Sequence, residues 1–270
     1  VRSLERAADA PWQTRTGDDH VILTIPSMTP LADRVRQSQP ELFGNDPQSF
    51  RSDYTERRPG VPQMLLVEQP VEGSTVLPHY HSQDQFQVFM DGAGKLGRHD
   101  VGPVTVHYTN RYTGYGPIVA SAQGLSYYVL RPSFDTLVTG QYVHVPELRD
   151  KLKRHPGPKR SIVVDPITVA TPAMLRALAA PAVTRLIEGN DTEAEAGLFT
   201  DVIALPAGAS YTCADPATGG GQVAIVLAGY LEREGRKLGL RAGIAVTREE
   251  SAISFKAGTE GAQVLLMQYP

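Results

Sequence analysis

Residues 73–92 read GSTVLPHYHSQDQFQVFMDG, with two histidines one residue apart, a glutamine four residues on and a glycine seven residues after that. Side chains on a β-strand alternate between faces, so His79 and His81 point the same way, about 7 Å apart along the chain. Gln85 has the same parity and adds an amide oxygen if the strand runs on regularly. Two imidazoles aimed into one cavity suit a borderline metal ion such as Zn, Fe, Ni or Cu. Gly92 fits a tight turn that reverses the chain.

The frame Gly73, five residues, His79-Tyr80-His81, three residues, Gln85, six residues, Gly92 resembles the first motif of the cupin superfamily. Every spacing is kept, and Gln85 stands where that family usually has Glu. Cupins are small antiparallel β-barrels that host dioxygenases, isomerases, cyclases, lyases, hydrolases and plain binding proteins, so the fold leaves function open. At the family's shortest spacing, the second motif falls on residues 114–119. There Gly116 matches, Val119 takes the place of the third histidine ligand, and Gln123 replaces the usual Asn. His107, in the apolar alternation VTVHY, and His99, beside Arg98 and Asp100, are the histidines that could compensate, although a lone His in such a strand is more often a core residue. The resemblance thus implies a divalent first-row metal (Fe, Zn, Ni, Mn or Cu) on His79, His81 and Gln85, with His107 completing the set and one position open for substrate or water. The other reading of the pair is vestigial: two rings hydrogen-bonded inside a barrel that binds nothing.

The same frame recurs. Gly208, Gln222 and Gly229 repeat Gly73, Gln85 and Gly92 with a two-residue insertion, and QVAIVLAG at 222–229 parallels QFQVFMDG at 85–92. Each copy then runs to a closing apolar strand, YYVLRP ending at Pro132 and VLLMQYP ending at Pro270. A repeat of this kind signals duplication of one supersecondary unit. The expected fold is all-β: two cupin-type antiparallel β-barrels (a bicupin) with a few short helices. Residues 1–145 form the N-terminal barrel with its extension, 146–195 a linker with short helices, and 196–270 a degenerate C-terminal barrel. HVILTI at 20–25 reads as a strand and FRSDYTERRPG at 50–60 as a polar loop. Pro146 opens a short helix over PELRDKLKR, and Thr171 caps another that begins at Pro172. Phe86, Val88 and Met90 have the opposite parity to the histidines and form an outward apolar stripe. Covering it falls to the second barrel or to a second subunit in a homodimer.

No histidine follows His155, so the chemistry is expected in the N-terminal barrel alone, with Cys213 a small buried residue. Tyr108, Tyr112, Tyr115, Tyr127 and Tyr128 crowd that barrel; packing explains most of them, and Tyr115, beside the displaced motif, is the candidate catalytic residue, donating a phenol hydrogen bond or acting as general acid. A net charge of −3 without a basic run argues against nucleic acid. No apolar run approaches the roughly 20 residues of a membrane span. One cysteine leaves no internal disulfide and, with no signal-type apolar stretch near the start, points to the cytoplasm. Two functions follow. One is a metal-dependent cupin enzyme (dioxygenase, isomerase, cyclase or lyase type) acting on a small organic molecule; the other is a non-enzymatic small-molecule-binding or structural cupin without metal.

Overall fold

The computed structural model describes residue 55 and residues 59–135, 141–192 and 194–270, together with three short strands before them. Those three are β1 (Gln13–Arg15), β2 (Val21–Leu23) and β3 (Phe50–Asp53). Then follow β4 (Gln63–Gln69), β5 (Thr75–Val76), β6 (His79–Tyr80), β7 (Gln85–Leu96), β8 (His99–Val101), β9 (Val106–Thr109), β10 (Ile118–Arg131) and β11 (Gln141–Tyr142). Helix α1 (Pro146–Arg154), β12 (Ser161–Val164), α2 (Pro172–Arg176) and β13 (Ala182–Glu188) lead into the second half. That half contains β14 (Phe199–Leu205), β15 (Ser210–Thr212), β16 (Gln222–Arg233), β17 (Arg236–Leu238), β18 (Gly243–Val246) and β19 (Ser254–Gln268). Both helices carry proline in the first turn, and the Thr171 hydroxyl accepts from the Met174 amide at the start of α2.

All pairing is antiparallel, in two main sheets. The first runs β12-β9-β7-β10-β4-β3, with β5 on β10 and β8 on β7; the second runs β1-β2-β18-β16-β19-β14-β13, with β15 on β19 and β17 on β16. The long central pairs correspond: β7 with β10 in one sheet, β16 with β19 in the other. Period-two alternation sorts each strand between two cores. From β4 and β10, Leu65, Val67, Leu125, Tyr127 and Val129 fill the first barrel with Phe89. Phe199, Ile203, Val226, Val264 and Leu266 fill the second with Cys213, whose thiol burial pushes up to about 12.

The opposite faces meet each other. Phe86, Val88 and Met90 pack with Tyr128 and Leu130 against Val223, Ile225, Leu227, Leu265 and Met267. The stripe is covered within one chain, by the second sheet.

Three local readings change. Phe50–Asp53 is a strand on the edge of β4, because backbone pairing there asks nothing of side-chain polarity. The arms cross between halves: β2 pairs with β18 of the second sheet, and β12 with β9 of the first. Gly92 does not reverse the chain, since β7 runs on to Leu96. Its φ is +75°, and a Cβ there would lie 2.0 Å from the Gly124 carbonyl oxygen, so glycine lets two strands touch at an irregularity in the ladder. Gly229 sits the same way against Gly261, at 2.1 Å.

Candidate functional site

β6 delivers His79, and the next turn delivers His81, to the interior of the first barrel, where Gln85 opens β7 and Tyr115 precedes β10. All four are buried. The two imidazoles stand edge to face with centroids 5.1 Å apart, and the Tyr115 ring lies 4.6 Å from His79. The structure thus places His79, His81 and Gln85 of residues 73–92 side by side, with Tyr115 from a later segment beside them.

At their centre is Arg131, the last residue of β10. It continues the inward parity of Tyr127 and Val129 and pairs across from Gln63 at the start of β4. Its Nε donates to Gln85 Oε1 at 2.9 Å, one terminal nitrogen to Gln63 Oε1 at 2.6 Å, and the other to His81 Nε2 at 3.0 Å. Arg131 is only 5% exposed.

A guanidinium can only donate and a backbone carbonyl can only accept, which fixes the direction of every bond. Gln85 accepts from Arg131 and donates from Nε2 to the Tyr115 hydroxyl at 2.8 Å; Tyr115 donates to His79 Nε2 at 2.9 Å; His79 Nδ1–H donates to the Leu77 carbonyl at 2.6 Å. On the other branch, His81 Nε2 accepts from Arg131, and its Nδ1–H donates to Asp135 Oδ2 at 2.5 Å. Asp135 also accepts from the Ser82 hydroxyl. The charges are Arg131⁺ and Asp135⁻, with a neutral imidazole between them.

The protonation states agree. Burial lowers His79 to about 4, opposed by the Leu77 carbonyl and helped by the Arg131 charge. Burial and the same guanidinium hold His81 well below the usual imidazole range. Burial would raise Asp135, but the bond from His81 and the charges beside it keep it well below the ordinary carboxylate value. Burial pushes the Tyr115 phenol up to about 12, offset in part by Arg131 and Gln85.

His107 lines the same interior, its ring 5.2 Å from Tyr115, but it does not join the set. Its Nδ1 donates to Gln87 Oε1 at 2.7 Å and its Nε2 accepts from Ser161 at 2.8 Å, so both nitrogens are spent on neighbouring strands. Burial lowers it to about 3. In this structure His107 ties β9 to β7 and β12. His99 is exposed on β8.

The metal implied by the first motif does not fit the residues as they stand. The single lone pairs of His79 Nε2 and His81 Nε2 each accept a hydrogen bond, from Tyr115 and Arg131, and Gln85 Oε1 accepts from Arg131 on one of its two, so a permanent cation already faces two of the three donor atoms. A divalent ion about 4 Å from that guanidinium meets about 8 kcal/mol of repulsion at an effective dielectric of about 20. Among the described residues, no group of three His, Cys, Asp or Glu is arranged to hold a metal.

Sequence reasoning missed Arg131, Asp135, Gln63 and Ser82. The available signal was Arg131 itself, a lone charge inside the apolar run YYVLRP at an inward position. Asp135, beyond Pro132 and outside any strand, gave none.

A cleft of about 600 Å³ lies against this centre, lined by Pro78, Gly114, Tyr115, Leu152, Lys153 and Lys159 among others. Tyr115 belongs to both the cleft wall and the buried chain. In the second barrel the corresponding centre is neutral: Gln222 Nε2 donates to Gln268 Oε1 at 2.7 Å, and Gln268 Nε2 donates to the Gly197 carbonyl.

No protein-family profile matches the chain, and no curated protein matches it. Solved structures do. A candidate dioxygenase from Nostoc punctiforme is 11% identical with a TM-score of 0.55, over 81% of this chain and 72% of that one. A single-residue variant of the salicylate 1,2-dioxygenase of Pseudoaminobacter salicylatoxidans, in complex with gentisate, is 13% identical with a TM-score of 0.50, over 84% and 76%. A cupin 2 conserved barrel domain protein from Leptotrichia buccalis is 10% identical with a TM-score of 0.47, over 82% and 89%. At such identities the likeness is one of fold. The chain has the cupin fold that the spacing of residues 73–92 resembles. No described helix is long and apolar enough to cross a membrane.

Proposed function

We propose that this chain is a cupin-fold protein that binds a small organic molecule in its N-terminal barrel without a resident metal. One observation carries the reading: the guanidinium of Arg131 is bonded to His81 Nε2 and Gln85 Oε1, two of the three atoms a metal would need. The fixed positive charge is therefore part of the chain. The cleft beside Tyr115 supports the rest. Pro78, Val143 and Leu152 give it apolar lining, and Lys153 and Lys159 give it positive charge. That chemistry suits an organic anion with an apolar body, held by a few convergent polar groups.

Benzoate tests this directly. In ligand-observed NMR with chelator-dialysed protein, benzoate binds, benzylamine does not, and Lys153→Glu with Lys159→Glu removes the binding. Benzoate binding that appears only after loading with Zn or Fe refutes the reading, as does no binding in either state.

The metal-dependent enzyme of dioxygenase, isomerase, cyclase or lyase type is the second reading. It is favoured by the way both His79 and His81 present Nε2 inward, and by the fold shared with two proteins described as dioxygenases. On that reading Arg131 has to leave before His79, His81 and Gln85 can take up an ion, and Tyr115 serves as the acid.

A further inference from the structure

We infer that Arg131 is a built-in cation standing in the place of a metal ion, over a donor set that still binds metal once the charge is removed. This rests on the metal-free reading above and adds why the histidines persist. His81 is held in its Nδ1–H form by Asp135, and His79 by the Leu77 carbonyl. A carboxylate or carbonyl behind an imidazole is the arrangement that turns the far nitrogen's lone pair toward a metal. Here both lone pairs are turned inward, toward the guanidinium and the Tyr115 hydroxyl it polarises through Gln85.

The second barrel is the internal control. Gln268 pairs directly across from Gln222, as Arg131 lies beside Gln85, one residue beyond the Leu130–Phe86 pair. That barrel has no histidine, and the position holds a neutral amide. The charge occurs where two inward-turned imidazoles lie beside it, and a neutral amide takes the position in the barrel that has no histidine.

The experiment is Co(II) titration of the full chain, purified without an affinity tag, read by visible absorption and by metal content after desalting. Wild type takes up no Co(II). Arg131→Met, which fills the space without charge, takes up one per chain with ligand-field bands, and adding His79→Ala abolishes them. Arg131→Gln is the second variant, keeping an amide donor for Gln85. A folded Arg131→Met or Arg131→Gln protein that takes up no Co(II) overturns the inference and leaves the metal-free reading of the wild type intact. A wild type that binds one Co(II) as tightly as the variants overturns both. Variants that fold only with Co(II) present support the inference; variants that fold in neither condition count against it.

Discussion

Acidification from pH 7 to pH 4 should destabilise this protein through its buried histidines. His79 and His107 move from an ordinary 6.5 down to about 4 and about 3 because burial penalises the imidazolium. Between those values and 6.5, the unfolded chain binds protons that the folded chain does not, so stability rises with pH there and falls on acidification. Each ring then costs about 1.4 kcal/mol per pH unit. By pH 4 that is about 3 kcal/mol for each of the two, or about 6 kcal/mol together, against a typical total of about 5–15 kcal/mol. His81 moves in the same direction. Asp135, whose carboxyl is lowered, holds its contribution above about 3.9 and loses it only below that, outside this window. Urea unfolding at pH 7, 6, 5 and 4, followed by far-UV circular dichroism, should give a flat midpoint above about pH 6.5 and a fall of at least about 2.7 kcal/mol per pH unit near pH 5. His107→Gln should remove one proton's share of that slope. A midpoint unchanged from pH 7 to pH 4.5 would mean the rings are not buried and neutral, and would refute the hydrogen-bond assignment.

Tyr115→Phe leaves His79 Nε2 without its donor and Gln85 Nε2 without its acceptor inside the barrel, and should lower stability by about 1–3 kcal/mol in urea titrations. Phe86→Ala opens a cavity in the core between the two sheets and should cost about 3–5 kcal/mol, with both halves losing their circular dichroism in one transition. Gly92→Ala drives a Cβ into the Gly124 carbonyl and should cost at least about 2 kcal/mol, whereas Gly73→Ala, with φ +78° and no atom within 4 Å, should cost about 1 kcal/mol; differential scanning calorimetry separates them.

The fold was legible because the cupin-like spacing and its repeat are local and periodic: the offsets from Gly73 to Gly92 and from Gly208 to Gly229 belong to one supersecondary unit used twice. Parity alone turned Phe86, Val88 and Met90 away from the histidines and toward the second sheet. What parity could not show is which strand lies beside which. The pairing of β2 with β18 and of β12 with β9 joins residues far apart in the chain, and composition carries no mark of it. The site divides in the same way. His79, His81, Gln85 and Tyr115 come from two nearby segments and were found together. Arg131 and Asp135 reach them from 50 and 54 residues beyond His81, by strand register and a loop. Their arrival turns a donor set suited to a metal into a closed hydrogen-bonded network.

Nitrogen-detected NMR of ¹⁵N-histidine-labelled protein at pH 7 tests that network most directly. Three of the seven histidines should be neutral, with a proton on Nδ1 and a pyridine-type Nε2, and they should be unchanged by added Zn(II). An Nε2-protonated His81 would set two donors against each other at Arg131. That result, or Zn(II)-induced shifts confined to His79 and His81, would contradict an arginine-filled barrel.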